Sequence, residues 1–253
     1  MLPPNEVTPP TPDASAGNGQ RKLLPTLMKR LLRWCRKLFT ILFLGQLFYI
    51  IVLRWVDPPI TITQFNSWIN GYGLKRDYVS WKEISPHARL AVIAAEDQLF
   101  PDHNGFDWKS IESVLSTKGK KKRLRGASTI SQQVAKNVFL WQGRSWLRKG
   151  LEVYFTFMIE LVWGKQRILE VYLNVAEMGK GVFGIEKAAQ VYFKKPAAKL
   201  TRTQAAMIAA CLPNPKKYIV NPPSKYIQRR YPWVLTQMNN LEGDGDIEKL
   251  LKK

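Results

Sequence analysis

The sequence is short of the residues that support metal and thiol chemistry. Its 253 residues include two cysteines, Cys35 and Cys211, and two histidines, His87 and His103. Two cysteines build no disulfide framework, and neither has a His or Cys at metal-ligand spacing, so a zinc site is not expected. The two histidines leave few arrangements for a His-based triad. Acids are scarce as well: 19 Asp and Glu stand against 39 Lys and Arg, a net charge of +20. A surplus that large calls for an anionic partner, and nucleic acid, a phospholipid surface and a phosphorylated substrate all qualify on composition alone. There is no regular alternation of strand and helix patterns and no repeat at a fixed period, which excludes a parallel-sheet fold and a solenoid. What is present is an apolar fraction of 45%, enough for a core, with nine Trp and eleven Phe, a number that fits work at a membrane interface.

Along the chain, residues Met1 to about Gln20 are rich in Pro, Thr, Ala, Ser and Gly and nearly free of large apolar side chains. Such a segment buries too little to offset its ordering entropy, so a disordered tail is expected. Arg21, Lys22, Lys29, Arg30, Arg33, Arg36 and Lys37 follow with no acid among them, and Leu38 to Leu53 is uncharged. With Arg54 snorkelling and Trp34, Tyr49 and Trp55 at the interfaces, a span over 34–56 reaches the length a bilayer needs, about 20 residues. The positive charges precede it, which places a basic tail (1–33) in the cytoplasm and a domain (57–253) outside. Cys35 and Cys211 then lie on opposite sides of the membrane and do not pair. From about Thr61 onward the pattern is mostly helical. Ser85 and Pro86 read as N-cap and first helical position, and helical spacing covers roughly 108–117, 129–140, 146–162, 165–175, 185–193 and 203–211. Residues from about Lys225 read as a helix and a charged tail.

Four constellations bear on chemistry. Glu96 and Asp97 end an apolar helix and lead into a loop with Phe100, His103 and Gly105. A carboxylate there meets the negative end of the helix dipole, which raises its pKa and suits a general acid or base, although a solvated helix end has the same pattern. In Gly126 to Asn137, Thr129 and Gln132 form a capping-box pattern, with Gln132, Gln133 and Lys136 on the face opposite Ile130, Val134 and Val138. Helix N-terminal amides, hydroxyls and a lysine suit a phosphate, and the alternative is a well-capped helix with a solvated side. Glu152 lies within a helical turn of Arg148 and Lys149, with Arg144 one turn earlier: either a surface ion pair, or a carboxylate held ionised to stabilise positive charge at a sugar carbon. Lys118 to Arg125 is a basic run, and outside the cytoplasm anionic lipid is its better partner than nucleic acid. Gly179 to Gly184 matches G-x-G-x-x-G, but the residues before it have helical spacing and no acid follows at the distance a dinucleotide site needs, so it reads as a glycine turn before a helix at Ile185.

Together these segments resemble the family-51 glycosyltransferases, the peptidoglycan polymerases. Glu96 to Gly105 matches E-D-x-x-F-x-x-H-x-G. Gly126 to Asn137 matches G-x-S-T-I-T-Q-Q-x-x-K-N, except that Ser131 replaces the second Thr. Arg148 to Glu152 matches R-K-x-x-E, and Ile168 to Asn174 matches I-L-E-x-Y-L-N. The glycine turn and its helix extend the likeness, which covers roughly Val79 to Tyr218. No S-x-x-K or K-T-G transpeptidase signature follows, and the stand-alone form is expected. The resemblance implies a mostly α fold, with a lysozyme-like large lobe, a small membrane-proximal lobe and one N-terminal transmembrane helix in the inner membrane, the catalytic domain being periplasmic. It implies Glu96 as general base and Glu152 at the donor's pyrophosphate. Asp97, Phe100, His103, Ser128, Thr129, Gln132, Gln133, Lys136, Asn137, Arg144, Arg148 and Lys149 would bind substrate. The substrate would be lipid II and the growing lipid-linked glycan, polymerised with inversion and release of undecaprenyl pyrophosphate. No cofactor and no protein-held metal are expected, with a divalent cation (Mg2+ or Mn2+) admitted as an aid to the pyrophosphate. Further partners would be membrane phospholipids and divisome or penicillin-binding proteins, and no nucleic acid. The rival activity is a lytic transglycosylase or lysozyme-like hydrolase of finished peptidoglycan, which has no use for the cations at positions 136, 144 and 148.

Overall fold

The computed structural model describes residues 17–108, 112, 128–143 and 145–252, with side chains from residue 28 onward. Most of the expected helix at 108–117, the basic run Lys118 to Arg125, Gly126, Ala127 and Arg144 lie outside the described residues. The chain divides into two compact units, one ending at Tyr49 and the other beginning at Ile50.

Among its described residues the first unit is one helix, α1 (Gly17–Val52), of which the residues from Ile50 on are counted with the second unit. It starts within the stretch expected to be disordered. The basic segment is built largely from Leu, Arg and Lys, all good helix formers, and continues the apolar segment without a break. The stretch Met28–Val52 has a mean hydropathy of 1.6, is long and apolar enough to cross a membrane, and is almost entirely unburied. Phe39, Leu42 and Phe48 are each more than half exposed. Such a surface is costly in water and neutral in hydrocarbon, so α1 fits a single-pass membrane anchor. The expected span at 34–56 loses its last residues, because Leu53 to Val56 form a turn. Leu53 is buried in the core of the second unit, and its carbonyl accepts from the Arg167 guanidinium.

The second unit runs through α2 (Ile62–Ile69), β1 (Lys75–Arg76), α3 (Pro86–Glu96), α4 (Ile130–Phe139), α5 (Trp146–Val162), α6 (Lys165–Val175), β2 (Glu177–Gly179), β3 (Val182–Phe183), α7 (Ile185–Phe193), α8 (Arg202–Cys211), α9 (Lys225–Leu241) and α10 (Gly245–Lys252). The mostly helical expectation holds, and α5, α6 and α7 have the bounds read from the sequence. Helix α3 starts as expected, with the Ser85 hydroxyl accepting from His87 N–H and Pro86 in the first turn. Every residue from Ala88 to Ala94 is buried, so α3 sits inside the core rather than on it, packed by α8 and α9. Helix α4 packs on α5 and α6. A small sheet of order β1-β3-β2 lies beside α7, with β1 parallel and β2 antiparallel to β3. Its β2–β3 turn holds the glycine-rich segment. Gly184 has φ +81° and comes so close to the Asn174 carbonyl that a Cβ would lie 2.6 Å from that oxygen. The glycines thus serve a turn and a close approach, and the helix follows at Ile185 as expected. The expected charged tail is corrected: it is the helix α10, which buries Ile247 and Leu250 and whose Leu251 carbonyl accepts from Arg89.

Candidate active site

Glu96 is the last residue of α3, half-buried. Burial pushes its carboxyl above the usual carboxylate range. A hydrogen bond from Gln133 Nε2 (2.7 Å) and the charges of Arg230 and Lys136 oppose the rise, while Asp97 adds to it. Gln133 is itself held from behind, where the Tyr172 hydroxyl of α6 donates to its Oε1 at 3.2 Å.

The neighbouring Asp97 faces the start of α4. Its carboxylate accepts from the Ile130 backbone N–H at 2.9 Å and from His103 Nε2 at 3.0 Å. The Gly105 N–H donates to His103 Nδ1 at 3.1 Å, which makes Nδ1 the acceptor and puts the imidazole proton on Nε2, toward Asp97. Thr129, the N-cap of α4, takes the Gln132 N–H on its hydroxyl and donates to the Gly105 carbonyl at 2.7 Å. Phe100 is fully buried, with Lys165 Nζ 4.6 Å from its ring centre. Lys165 also bonds the His103 carbonyl and pairs with Glu160 at 2.7 Å, and Glu160 accepts from Ser131. Asp97, Phe100, His103 and Thr129, all expected to bind substrate, are therefore bonded or packed within the wall that joins the α3–α4 loop to α4 and α5.

On the other side of α4 lies an open cavity of about 540 Å³. Ser128, Gln132, Gln133, Lys136, Arg148, Lys149 and Glu152 line it, together with Gln142 and Gly143 from the loop before α5. Ser145 caps α5 by accepting from the Arg148 N–H, and one turn on Glu152 is buried to 3% exposure. Its two oxygens are held by Arg148 Nη1 at 2.6 Å and Lys149 Nζ at 2.5 Å. Burial lowers the pKa of Lys136. Glu152 is the stronger of two carboxylates opposing that shift and Glu96 the weaker, while Arg148 and Lys149 reinforce it. Three cations face one carboxylate, so the cavity is an electropositive, polar recess suited to a polyanion. Asn137 does not line it, and its carbonyl accepts from Thr63 of α2. Among the described residues no three His, Cys, Asp or Glu side chains come together to hold a metal, and both oxygens of Glu152 already have cation partners.

Arg230, Tyr172, Gln142 and Gly143 were missed by sequence reasoning. Arg230 sits on α9 with its guanidinium over the Trp233 ring at 3.6 Å, and its charge reaches Glu96. Nothing in the local pattern around Arg229 and Arg230 separates it from a solvated basic face.

With this geometry in hand, the comparison with known proteins gives the family. The transglycosylase family matches residues 63–239, and the chain belongs to it. It is a glycosyltransferase enzyme, as the sequence resemblance implied. Among its relatives, the biosynthetic peptidoglycan transglycosylase of Mannheimia succiniciproducens is 56% identical over 170 residues, 67% of this chain and 70% of that protein. The protein of the same name from Yersinia pseudotuberculosis is 53% identical over 202 residues, 77% of this chain and 84% of its own length. A third, from Cronobacter sakazakii, is 55% identical over 185 residues, 72% and 77% of the two chains.

Proposed function

We propose that the protein polymerises lipid II into β-1,4-linked peptidoglycan strands, by inverting glycosyl transfer with release of undecaprenyl pyrophosphate. The observation that carries this reading is the position of Lys136. It lines a recess with Arg148, Lys149 and Glu152 in which cations outnumber the acid, and the charges of Glu152 and, more weakly, Glu96 both act on it. Two carboxylates bridged by a phosphate-binding cation are what a transfer between two lipid-linked sugars needs. Glu96, its carboxyl raised by burial, takes the proton of the acceptor's sugar 4-hydroxyl. The resulting oxygen attacks the anomeric carbon of the donor from the face opposite the pyrophosphate, which inverts an α linkage to β. Lys136, Arg148 and Lys149 hold the departing pyrophosphate, and Glu152 faces the positive charge that grows on the donor sugar. The names of the relatives, biosynthetic peptidoglycan transglycosylases, support the same substrate.

The apolar helix α1 supports a place in the inner membrane, with the catalytic unit on the periplasmic side, where substrate and product both keep a lipid tail. Tethering there raises the enzyme's effective concentration near them.

Purified full-length protein given lipid II in mixed micelles is expected to form glycan polymer and to leave finished glycan uncut. Glu96→Gln is expected to lower polymer formation at least about 100-fold, in line with the usual contribution of a general base. A Glu96→Gln rate within about tenfold of wild type would remove Glu96 as the base, and cleavage of finished glycan would favour a hydrolase.

A further inference from the structure

We propose that Tyr172 is a positioning residue for the reaction: its hydroxyl fixes the side-chain amide of Gln133 so that the amide donates to Glu96. This rests on the reading of Glu96 as general base.

The argument starts from what each group is able to give. A carboxylate only accepts, so Gln133 must present its NH2 to Glu96, and Nε2 lies 2.7 Å from Oε2. The Gln133 carbonyl then points the opposite way, into the core, where a buried acceptor needs a donor. The Tyr172 hydroxyl supplies it at 3.2 Å. Tyr172 is 1% exposed, and burial, reinforced by the charge of Glu96, keeps its hydroxyl protonated far above its ordinary range. It is therefore a donor at every working pH. Without that hydroxyl, the amide is oriented by the Glu96 carboxylate alone, and a protonated Glu96 accepts either end of it. A flipped amide would set its oxygen against the carboxylate.

The other titratable groups coupled to the charge of Glu96 come from the end of α3 and from α4, α8 and α9. They are Asp97 beside it, Lys136 on α4, Arg230 on α9 and Cys211 at the end of α8. Burial holds the Cys211 thiol in its neutral form, and it donates to the Met178 carbonyl at 3.2 Å. Replacing Tyr172 by Phe removes one oxygen, keeps the buried ring, and changes none of these charges. The variant thus reads the orientation of Gln133 and little else.

The sign follows from the hydrogen bond. Donation from Gln133 favours the ionised form of Glu96 and opposes the upward push of burial. Loss of the lock weakens that donation, so Glu96 protonates at higher pH and the base is lost earlier as the medium is acidified. In the lipid II assay of the full chain, Tyr172→Phe is expected to move the acid limb of the kcat profile upward by roughly one pH unit, about a tenfold loss on the acid side, with KM for lipid II unchanged. Gln133→Met, which has no donor, is expected to move the limb the same way, and the double variant no further, because both act through one chain of bonds. An acid limb that stays at the wild-type pH in Tyr172→Phe, or a uniform loss at all pH values, overturns the proposal, and so does a double variant with additive shifts. Should Tyr172→Phe melt well below wild type, an unmoved limb in Gln133→Met still overturns the proposal, because no lock on Gln133 matters where Gln133 itself does not. Glu96→Gln is run alongside: if it retains activity, the base reading itself falls, whatever Tyr172→Phe does.

Discussion

At the scale of single residues, Glu96 carries a conflict between fold and chemistry. Its carboxyl is pushed above the usual range because folding removes it from water. A carboxyl with a raised folded pKa binds its proton more tightly in the native state, so its cost is absent in acid and appears as pH rises through that raised value. Above it, the native state holds an ionised group that the unfolded chain would solvate better. Glu96→Gln cannot ionise and keeps a partner for Gln133. The variant is expected to melt at a higher temperature than wild type near pH 8, and the gap is expected to close as pH falls to about 4. Thermal melts across that range, monitored by circular dichroism, check this; equal melting temperatures at both ends would contradict it. The same residue was legible in the sequence, since its place at a helix end beside Asp97 marks it as unusual. Arg230 was not. It reaches Glu96 only because α9 packs against α3, and no spacing rule connects a basic pair on a distant helix to that contact.

At the scale of elements, the loop after α3 and the start of α4 are made for each other. Gly105 has φ +88°, and a Cβ there would lie 2.7 Å from Thr156 Cγ2 and 3.1 Å from Glu160 Cγ. Both the backbone conformation and the contact with α5 require glycine. Gly105→Ala is expected to destabilise the domain by about 1–3 kcal/mol, read as a lower melting temperature, and Thr156→Ser in the same chain, which removes the clashing methyl, is expected to restore part of the loss. This junction also shows where sequence reasoning stopped. The helices α5, α6 and α7 were legible because long apolar periods and clear caps fix their ends. The motif residues Asp97, Phe100, His103 and Thr129 were recognised as belonging together, but spacing does not reveal which wall of a loop faces a cavity. Asp97, Phe100 and Thr129 are buried and His103 lines a separate cavity in the loop after α3, while Gln132, Gln133 and Lys136 on the next helix face the recess. Helix α2 and the sheet escaped notice for a simpler reason. An eight-residue helix and strands of two or three residues are too short to display a period.

For the whole molecule, the distribution of apolar surface sets behaviour. The second unit buries its core, while α1 leaves most of its aromatic and aliphatic residues uncovered between Met28 and Tyr49. A helix of 25 residues extends about 37 Å, enough for a hydrocarbon layer of about 30 Å. The full chain is expected to stay with membranes through washes in 1 M salt and in alkaline carbonate, and to be released only by detergent. Release by salt would show that the net charge of +20, rather than α1, is what holds it.

The double grip on Glu152 has a consequence for how the recess fills. Before any ligand arrives, Arg148 and Lys149 already share one carboxylate within 2.6 Å, which offsets part of their charge. An incoming diphosphate must take these counter-ions away from that acid, and the acid is released into the vicinity of the sugar as it loses them. Filling and emptying thus become an exchange of anions over a fixed pair of cations, with Glu152 tempering the surplus positive charge whenever the recess is vacant.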